Sequence, residues 1–129
     1  MAEAAQNLIK GVCQIGIATP QPEKIIAFYR DVLGFPALFE AGGMTFLQAG
    51  ATSLMVGAVA DAKPPSGDVI LYFEPSDWSA AEVKLEAAGV AFDRPAMVVQ
   101  SDGAREHVLR PFKDPEGRPI YLLGWRPVT

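Results

Sequence analysis

The chain has little of several residue types on which large classes of protein depend. Among 129 residues there is one cysteine, Cys13, and one histidine, His107. A lone cysteine excludes an internal disulfide and every multi-cysteine metal site, and its usual fate is a small interior thiol. No serine–histidine–aspartate order, phosphate-binding glycine loop or zinc-ligand spacing is present. We therefore expect a protein of the reducing cytoplasm without one of these familiar catalytic centres.

Charge of one sign and long apolar runs are also scarce. The 11 basic and 15 acidic residues give a net charge of −4, and no run of Lys and Arg is present to neutralise phosphates. Nucleic acid is therefore a poor candidate partner. The longest apolar run, 54–60, is short, and residues 1–10 lack a basic start followed by an apolar core. We expect neither a membrane span nor an export signal.

Short patterned segments, separated by glycine and proline, make up most of the chain. The 12 glycines and 11 prolines favour short strands and tight turns over a helical bundle. The first half predicts a strand, an amphipathic helix that Gly34 ends, and three further strands. Their expected bounds are 12–18, 22–33, 36–40, 44–48 and 52–58.

The same order of elements recurs after a linker at 61–66. A strand at 68–74 precedes a helix that Ser76-Asp77 caps and Gly89 ends, and strands follow at 90–99, 106–112 and 118–125. Gly89 lies 55 residues after Gly34, and the pair Gly50/Gly57 recurs 67 residues later. The repeat predicts an α+β fold, a single domain over 1–129 with two tandem βαβββ modules at about 10–60 and 67–126.

Two segments carry a resemblance to a known family. The first is Gln14-Ile-Gly-Ile followed by Ile26-Ala-Phe-Tyr-Arg-Asp-Val-Leu-Gly-Phe35, and the second is Phe112-Lys-Asp-Pro-Glu-Gly-Arg-Pro-Ile-Tyr-Leu122. Over about residues 10–126 the chain resembles the glyoxalase/bleomycin-resistance/dioxygenase superfamily, the vicinal oxygen chelate proteins. The resemblance implies paired βαβββ modules whose mixed sheets curl into a cup with the helices outside. Many members hold a divalent metal in that cup.

The resemblance also implies four metal-ligand positions, which fall here on Gln14, Leu54, Ile70 and Tyr121. Gln14 offers an amide oxygen, the two aliphatic residues offer nothing, and a phenol is a weak ligand at neutral pH. Magnesium is coordinated by about six oxygen donors and zinc by about four donors, which is more than these four residues supply, so we expect no cofactor. One divalent metal held by an atypical set that includes Gln14 stays an alternative, because a slip of one residue swaps the faces of a strand.

Alternation along the strands then predicts an aromatic and apolar lining for the cup. We expect ligand-binding residues at Gln14, Leu54, Ile70, Tyr72, Arg105, His107, Leu109, Tyr121, Leu123 and Trp125. Such a lining, with a few polar groups, suits a small hydrophobic or aromatic molecule.

Three functions are compatible with this lining. The first is metal-independent binding or sequestration of a small molecule, as the resemblance to bleomycin-resistance proteins implies. The second is a metal-dependent lyase or dioxygenase with an atypical ligand set, or acid–base chemistry with His107 and Tyr121 as catalytic candidates. The third is an interaction module whose cup is closed by side chains. We expect a homodimer, in which one chain or two complete the cup.

Overall fold

Two successive βαβββ units make up residues 8–128, which are the residues that the computed structural model describes. Helix α1 (Pro22–Ala27) continues directly into a π-helical segment (Phe28–Val32), and α2 is Trp78–Ala87. The strands are β1 (Gln14–Thr19), β2 (Ala37–Ala41), β3 (Met44–Ala49), β4 (Thr52–Ala58), β5 (Leu71–Phe73), β6 (Met97–Ser101), β7 (Arg105–Lys113) and β8 (Pro119–Pro127). The predicted α+β class and the tandem repeat are confirmed.

Each unit forms its own four-stranded mixed sheet, and neither sheet is closed. The strand orders are β1-β4-β3-β2 and β5-β8-β7-β6. In both sheets the first strand of the unit pairs in parallel with the last, while the other pairs are antiparallel. The two sheets therefore have the same topology, as a duplicated unit requires.

The strand pairing fixes which positions of the two units are equivalent. Ile15 pairs with Leu54 in the first sheet, and Leu71 pairs with Ile120 in the second. Gln14 and Ile70 are the first metal-ligand positions that the resemblance implies in the two units, so the residues after them, Ile15 and Leu71, are equivalent. Their partners Leu54 and Ile120 are 66 residues apart, so Tyr121 corresponds to Met55. The offset of 67 taken from the glycines is wrong by one residue.

Both sheets use one side to build a common core with the helices. The ring of Phe28 lies 6.5 Å from that of Phe112, and Phe35 lies 5.1 Å from Phe73, so each pair joins the first unit to the second. Trp78 of α2 donates its indole N–H to the carbonyl of Gly124 at 3.0 Å. The buried apolar residues are Ile17, Ile25, Phe28, Tyr29, Leu47, Leu54, Val56, Trp78, Leu85, Val108, Phe112, Ile120 and Leu122.

The other side of each sheet points away from this core, and its side chains are mostly exposed or half-buried. We call these surfaces the first and second open faces. The first open face comprises Gln14, Gly16, Ala18, Phe39, Ala41, Met44, Phe46, Gln48, Ser53, Met55 and Gly57. The second open face includes Tyr72, Met97, Gln100, Arg105, His107, Leu109, Pro111, Lys113, Pro119, Tyr121, Leu123 and Trp125.

Three local predictions differ from the structure. The strand expected at 68–74 is restricted to β5, and the strand expected at 90–99 begins only at Met97. The segment before Met97 contains Pro95, which has no N–H to donate, and the backbone N–H of Asp93 bonds to Pro111 in a loop. The first helix changes to π-helical bonding, in which Leu33 N–H reaches Phe28 at 3.0 Å.

Two further predictions concern single residues. Asp77 is the N-cap of α2 as expected, and its carboxylate accepts a hydrogen bond from the N–H of Ala80 at 3.0 Å. The prediction of an interior thiol is wrong, because Cys13 lies just before β1 and is exposed. None of the described helices has the length and apolar character needed to cross a membrane.

Candidate functional site

The register of β4 determines which residues of the first sheet belong to the candidate binding surface. Leu54 was expected to line it, but this side chain is fully buried on the helix-facing side, because it shares a row with Ile15. Met55 takes the place on the open face. The amide of Gln14 lies 3.5 Å from its sulfur, so these two side chains are in contact.

Ile70 and Tyr121 stand at the corresponding places in the second unit. Ile70 lies one residue before β5 and is 36% exposed, and Tyr121 is half-buried in β8 between Tyr72 and Pro111. The four positions that the resemblance assigns to metal ligands thus carry an amide, a thioether, an alkyl chain and a phenol.

These groups do not fit a divalent metal. The amide oxygen of Gln14 is the only ordinary hard donor, whereas the thioether of Met55 selects soft ions and Ile70 has no donor atom. Within residues 8–128, no three His, Cys, Asp or Glu side chains are grouped so that they could hold a metal ion. The chemistry of the side chains therefore supports no metal-dependent step at these positions.

Rows of aromatic rings dominate the second open face. His107 and Trp125 are cross-strand neighbours whose rings stack at 4.6 Å with an angle of 10° between their planes. Tyr72 and Tyr121 are also paired across strands, with ring centroids 5.2 Å apart. Leu109 and Leu123 pair in the row between them. Flat rings beside aliphatic side chains form an apolar surface with polar edges, which is suited to a planar guest.

Cationic groups lie over this aromatic surface. The guanidinium of Arg105 is 4.6 Å from the Trp125 ring centroid and is also held by Asp102 at 3.1 Å. The backbone N–H of Arg105, and then its guanidinium, lower the pKa of Asp102 by hydrogen bonding. Arg94 donates from its guanidinium to the Tyr121 hydroxyl at 3.3 Å.

Arg94 and Met55 are the two site residues that the sequence did not identify. Met55 was accessible to sequence reasoning, because Leu54 and Val56 alternate with it and fit a buried row. Arg94 had no such signal, since it belongs to the loop before β6 where a strand was expected. Only the fold brings this loop over Tyr121.

The first open face has a different chemistry. Its members are uncharged, and Phe46 extends the apolar surface by stacking on Phe39 at 4.6 Å with 17° between the planes. A groove of about 470 Å³ on this face is lined in part by Gly16, Met44 and Met55. Two amides and a hydroxyl, from Gln14, Gln48 and Ser53, are its main polar groups.

A buried polar cluster lies on the core side and ties the two units together. The Asp114 carboxylate accepts hydrogen bonds from the Tyr29 hydroxyl at 2.8 Å and from the Arg118 guanidinium at 3.0 Å. Glu116 accepts from Arg118 at 2.9 Å and from Thr19 at 2.7 Å. Gly117, with φ of +91°, ends a turn in which its N–H donates to the carbonyl of Asp114 at 2.9 Å. Every polar side chain of this cluster has a partner, so its role is structural.

The electrostatics of that cluster follow from its burial. Desolvation, together with the negative charge of Asp114, raises the pKa of the Tyr29 hydroxyl far above its ordinary value. Burial lowers the pKa of Arg118, but hydrogen bonds and charge from Asp114 outweigh it, so the net pKa is raised. Tyr29 therefore stays a neutral donor and Arg118 stays a cation over the whole physiological range.

With this geometry in place, the comparisons with known proteins define the class. The model of the Glyoxalase/Bleomycin resistance protein/Dioxygenase superfamily matches residues 11–121. The chain belongs to this superfamily, as its sequence motifs predicted. No curated protein sequence matches it.

Solved structures share the fold at low sequence identity. An integron cassette protein from Vibrio cholerae has a TM-score of 0.73 at 20% identity, with 90% of this chain and 95% of that chain covered. A lactoylglutathione lyase from Agrobacterium tumefaciens has a TM-score of 0.68 at 18% identity, covering 92% and 96%. An antibiotic binding protein from Streptomyces has a TM-score of 0.68 at 25% identity, covering 95% and 100%.

Proposed function

We propose that the chain is a metal-independent binding protein that captures a small hydrophobic or aromatic molecule on the second open face. The observation that carries this proposal is the aromatic surface centred on His107, Tyr121 and Trp125. Stacking on such rings contributes about 0.5–1.5 kcal/mol beyond the burial of apolar area. The similar antibiotic binding protein supports the same class of function. The proposal includes a cytoplasmic location, which suits a chain with a single cysteine.

Capture is favoured over turnover by the surroundings of the two catalytic candidates. A histidine that acts as a general base needs a positioned partner for its second ring nitrogen. Among residues 8–128 no hydrogen bond joins the His107 side chain to a carboxylate, and its ring is instead stacked on Trp125. Tyr121 contacts Arg94 and Tyr72, neither of which supplies a general base.

A homodimer is part of the proposal, because each open face covers a guest from one side only. The first open face of a second copy is uncharged and contains a groove, so it is a suitable cover for a ligand on the second open face. Exposed apolar side chains such as Phe39 and Tyr72, which are 56% and 54% exposed, also favour burial between two copies. Gln14 and Met55 would then contact the guest from the opposite side.

The alternative is a metal-dependent lyase or dioxygenase. Its support is the fold shared with the lactoylglutathione lyase. The amide, thioether, alkyl and phenol groups at the ligand positions count against this alternative, because only one of the four, the amide oxygen, is an ordinary ligand of a divalent ion.

Equilibrium dialysis in the presence of EDTA tests the proposal with a panel of fused-ring aromatic compounds. We expect binding by the native chain and a loss of about tenfold or more in Trp125→Ala, the kind of loss typical of a central aromatic contact. Val83→Ala, on the exposed surface of α2, is the matched control and keeps full affinity. Absence of binding across the panel, or unchanged affinity in Trp125→Ala, would contradict the proposal.

A further inference from the structure

Arg94 differs from the other arginines in its partners. Its guanidinium donates to the phenol of Tyr121 at 3.3 Å, and within residues 8–128 it makes no ion pair. Each of the other arginines forms an ion pair with a carboxylate; they are Arg30, Arg105, Arg110, Arg118 and Arg126. An arginine with five donors, aimed at a hydroxyl beside an aromatic surface, retains the capacity to bind an anion.

The acidic side chains near the second open face are paired with other cations. Asp93, the residue before Arg94, pairs with Lys113 at 2.8 Å. Alternation along β5, β7 and β8 gives the face itself aromatic, aliphatic and basic residues. Glu106 lies on the opposite side of β7, where it pairs with Arg126 at 3.0 Å, and Asp102 lies beyond the strand end with Arg105. Asp102 and Asp93 thus neutralise Arg105 and Lys113, and within residues 8–128 Arg94 is the arginine at this face whose charge no carboxylate neutralises.

The length of the surface sets the size of a matching guest. Tyr121 and Trp125 are four residues apart on β8, which at roughly 3.3 Å per residue separates them by about 13 Å. The row of Leu109 and Leu123 fills the distance between them with aliphatic surface. A planar molecule of about three fused rings spans from the phenol of Tyr121 toward the stacked pair of His107 and Trp125.

We propose that the ligand is a planar aromatic anion, whose acidic group binds Arg94 and the Tyr121 hydroxyl while its rings cover the aliphatic row toward Trp125. This inference rests on the proposed function, because it names the chemical class of the molecule that the second open face binds. The anion would replace the single hydrogen bond between Arg94 and Tyr121 by charge-assisted hydrogen bonds, which are the stronger kind.

Three near-isosteric probes test the charge of the ligand by isothermal titration calorimetry: anthracene-2-carboxylate, the neutral anthracene-2-carboxamide and the cationic 2-(aminomethyl)anthracene. We expect the carboxylate to bind about five- to tenfold more tightly than the carboxamide, as a partly exposed charge-assisted contact supports. Added salt is expected to weaken binding of the carboxylate and to leave the carboxamide unchanged.

Arg94→Gln removes the charge and keeps a hydrogen-bond donor, and we expect it to abolish the preference for the carboxylate. Lys63→Gln changes the net charge equally in the exposed linker and keeps the preference. Equal binding of carboxylate and carboxamide, strongest binding of the amine, or a preference that survives in Arg94→Gln would overturn the inference and leave the proposed function standing. If no probe binds the native chain, both proposals fail.

Discussion

Leu54 and Met55 are adjacent in β4, yet their side chains lie on opposite sides of the first sheet. Leu54 is fully buried, whereas Met55 is half-buried beside Gln14. We expect Leu54→Ala to lower the free energy of unfolding by about 2–5 kcal/mol, because it leaves a cavity in the shared core. Urea denaturation measures this loss.

Met55→Ala is the control for that prediction. It removes a side chain of similar size from the open face, so we expect a loss well below that of Leu54→Ala. Similar losses in the two variants would show that the register of β4 differs from the one described.

Tyr29 makes a second residue-scale prediction, on the dependence of stability on pH. Removing its hydroxyl takes a donor from the buried Asp114 carboxylate, so Tyr29→Phe should cost about 1–3 kcal/mol at neutral pH. The raised pKa of Tyr29 means that the folded state keeps this proton where the unfolded state loses it. The stability that the proton contributes is therefore lost as the pH rises above the ordinary tyrosine value of about 10.

Urea denaturation of the native chain and Tyr29→Phe across the alkaline range isolates this effect. Because all other groups titrate in both proteins, the stability difference between them is expected to shrink from about pH 9.5 upward. A difference that stays constant to about pH 11.5 would contradict the assigned role of the Tyr29 proton.

At this scale the sequence predicted side-chain positions only as well as it predicted register. Predicting the residues of the second open face required only the register between β7 and β8. Alternation along β8 from Tyr121 then placed Leu123 and Trp125 on the same side. Predicting the residues of the first open face also required the sequence offset between the two units. The offset was wrong by one residue, so Leu54 was predicted in place of Met55. The glycine spacing gave the wrong offset because Gly57 and Gly124 are not equivalent positions. Gly57 lies on an open face, whereas Gly124 is buried under Trp78.

Helix α2 begins directly after its N-cap residue, Asp77. Asp77 accepts a hydrogen bond from the N–H of Ala80, which otherwise lacks a partner inside the helix. Asp77→Ala is expected to cost about 1 kcal/mol of unfolding free energy, measured by urea denaturation. Ser76→Ala, one residue earlier, should change stability by clearly less; an equal loss would contradict the capping role.

The order of elements was predictable because the periodicity of apolar residues changes clearly between strand and helix. The pattern of Ile25, Phe28, Tyr29 and Val32 predicts a helix, but it does not distinguish α-helical from π-helical bonding, whose hydrogen bonds differ in span by one residue. The loop before β6 was less predictable. Val90 and Phe92 suit a strand by composition, yet they pack against the shared core from a loop.

For the whole molecule, we predict self-association through the open faces. Sedimentation velocity is expected to show a homodimer, and Phe39→Asp should shift it toward monomer by placing a charge in an apolar interface. Val83→Asp, which adds the same charge on the exposed surface of α2, is expected to leave the dimer intact. A native chain that stays monomeric at high concentration would contradict a ligand site shared between two copies.

The metal content of the native protein tests most directly whether the open faces hold an organic guest in place of an ion. Elemental analysis of protein purified without chelator should find far less than one divalent ion per chain, because Gln14, Met55, Ile70 and Tyr121 supply too few suitable donors. About one tightly held ion per chain, retained through dialysis, would contradict the proposed metal-independent capture and favour the enzyme.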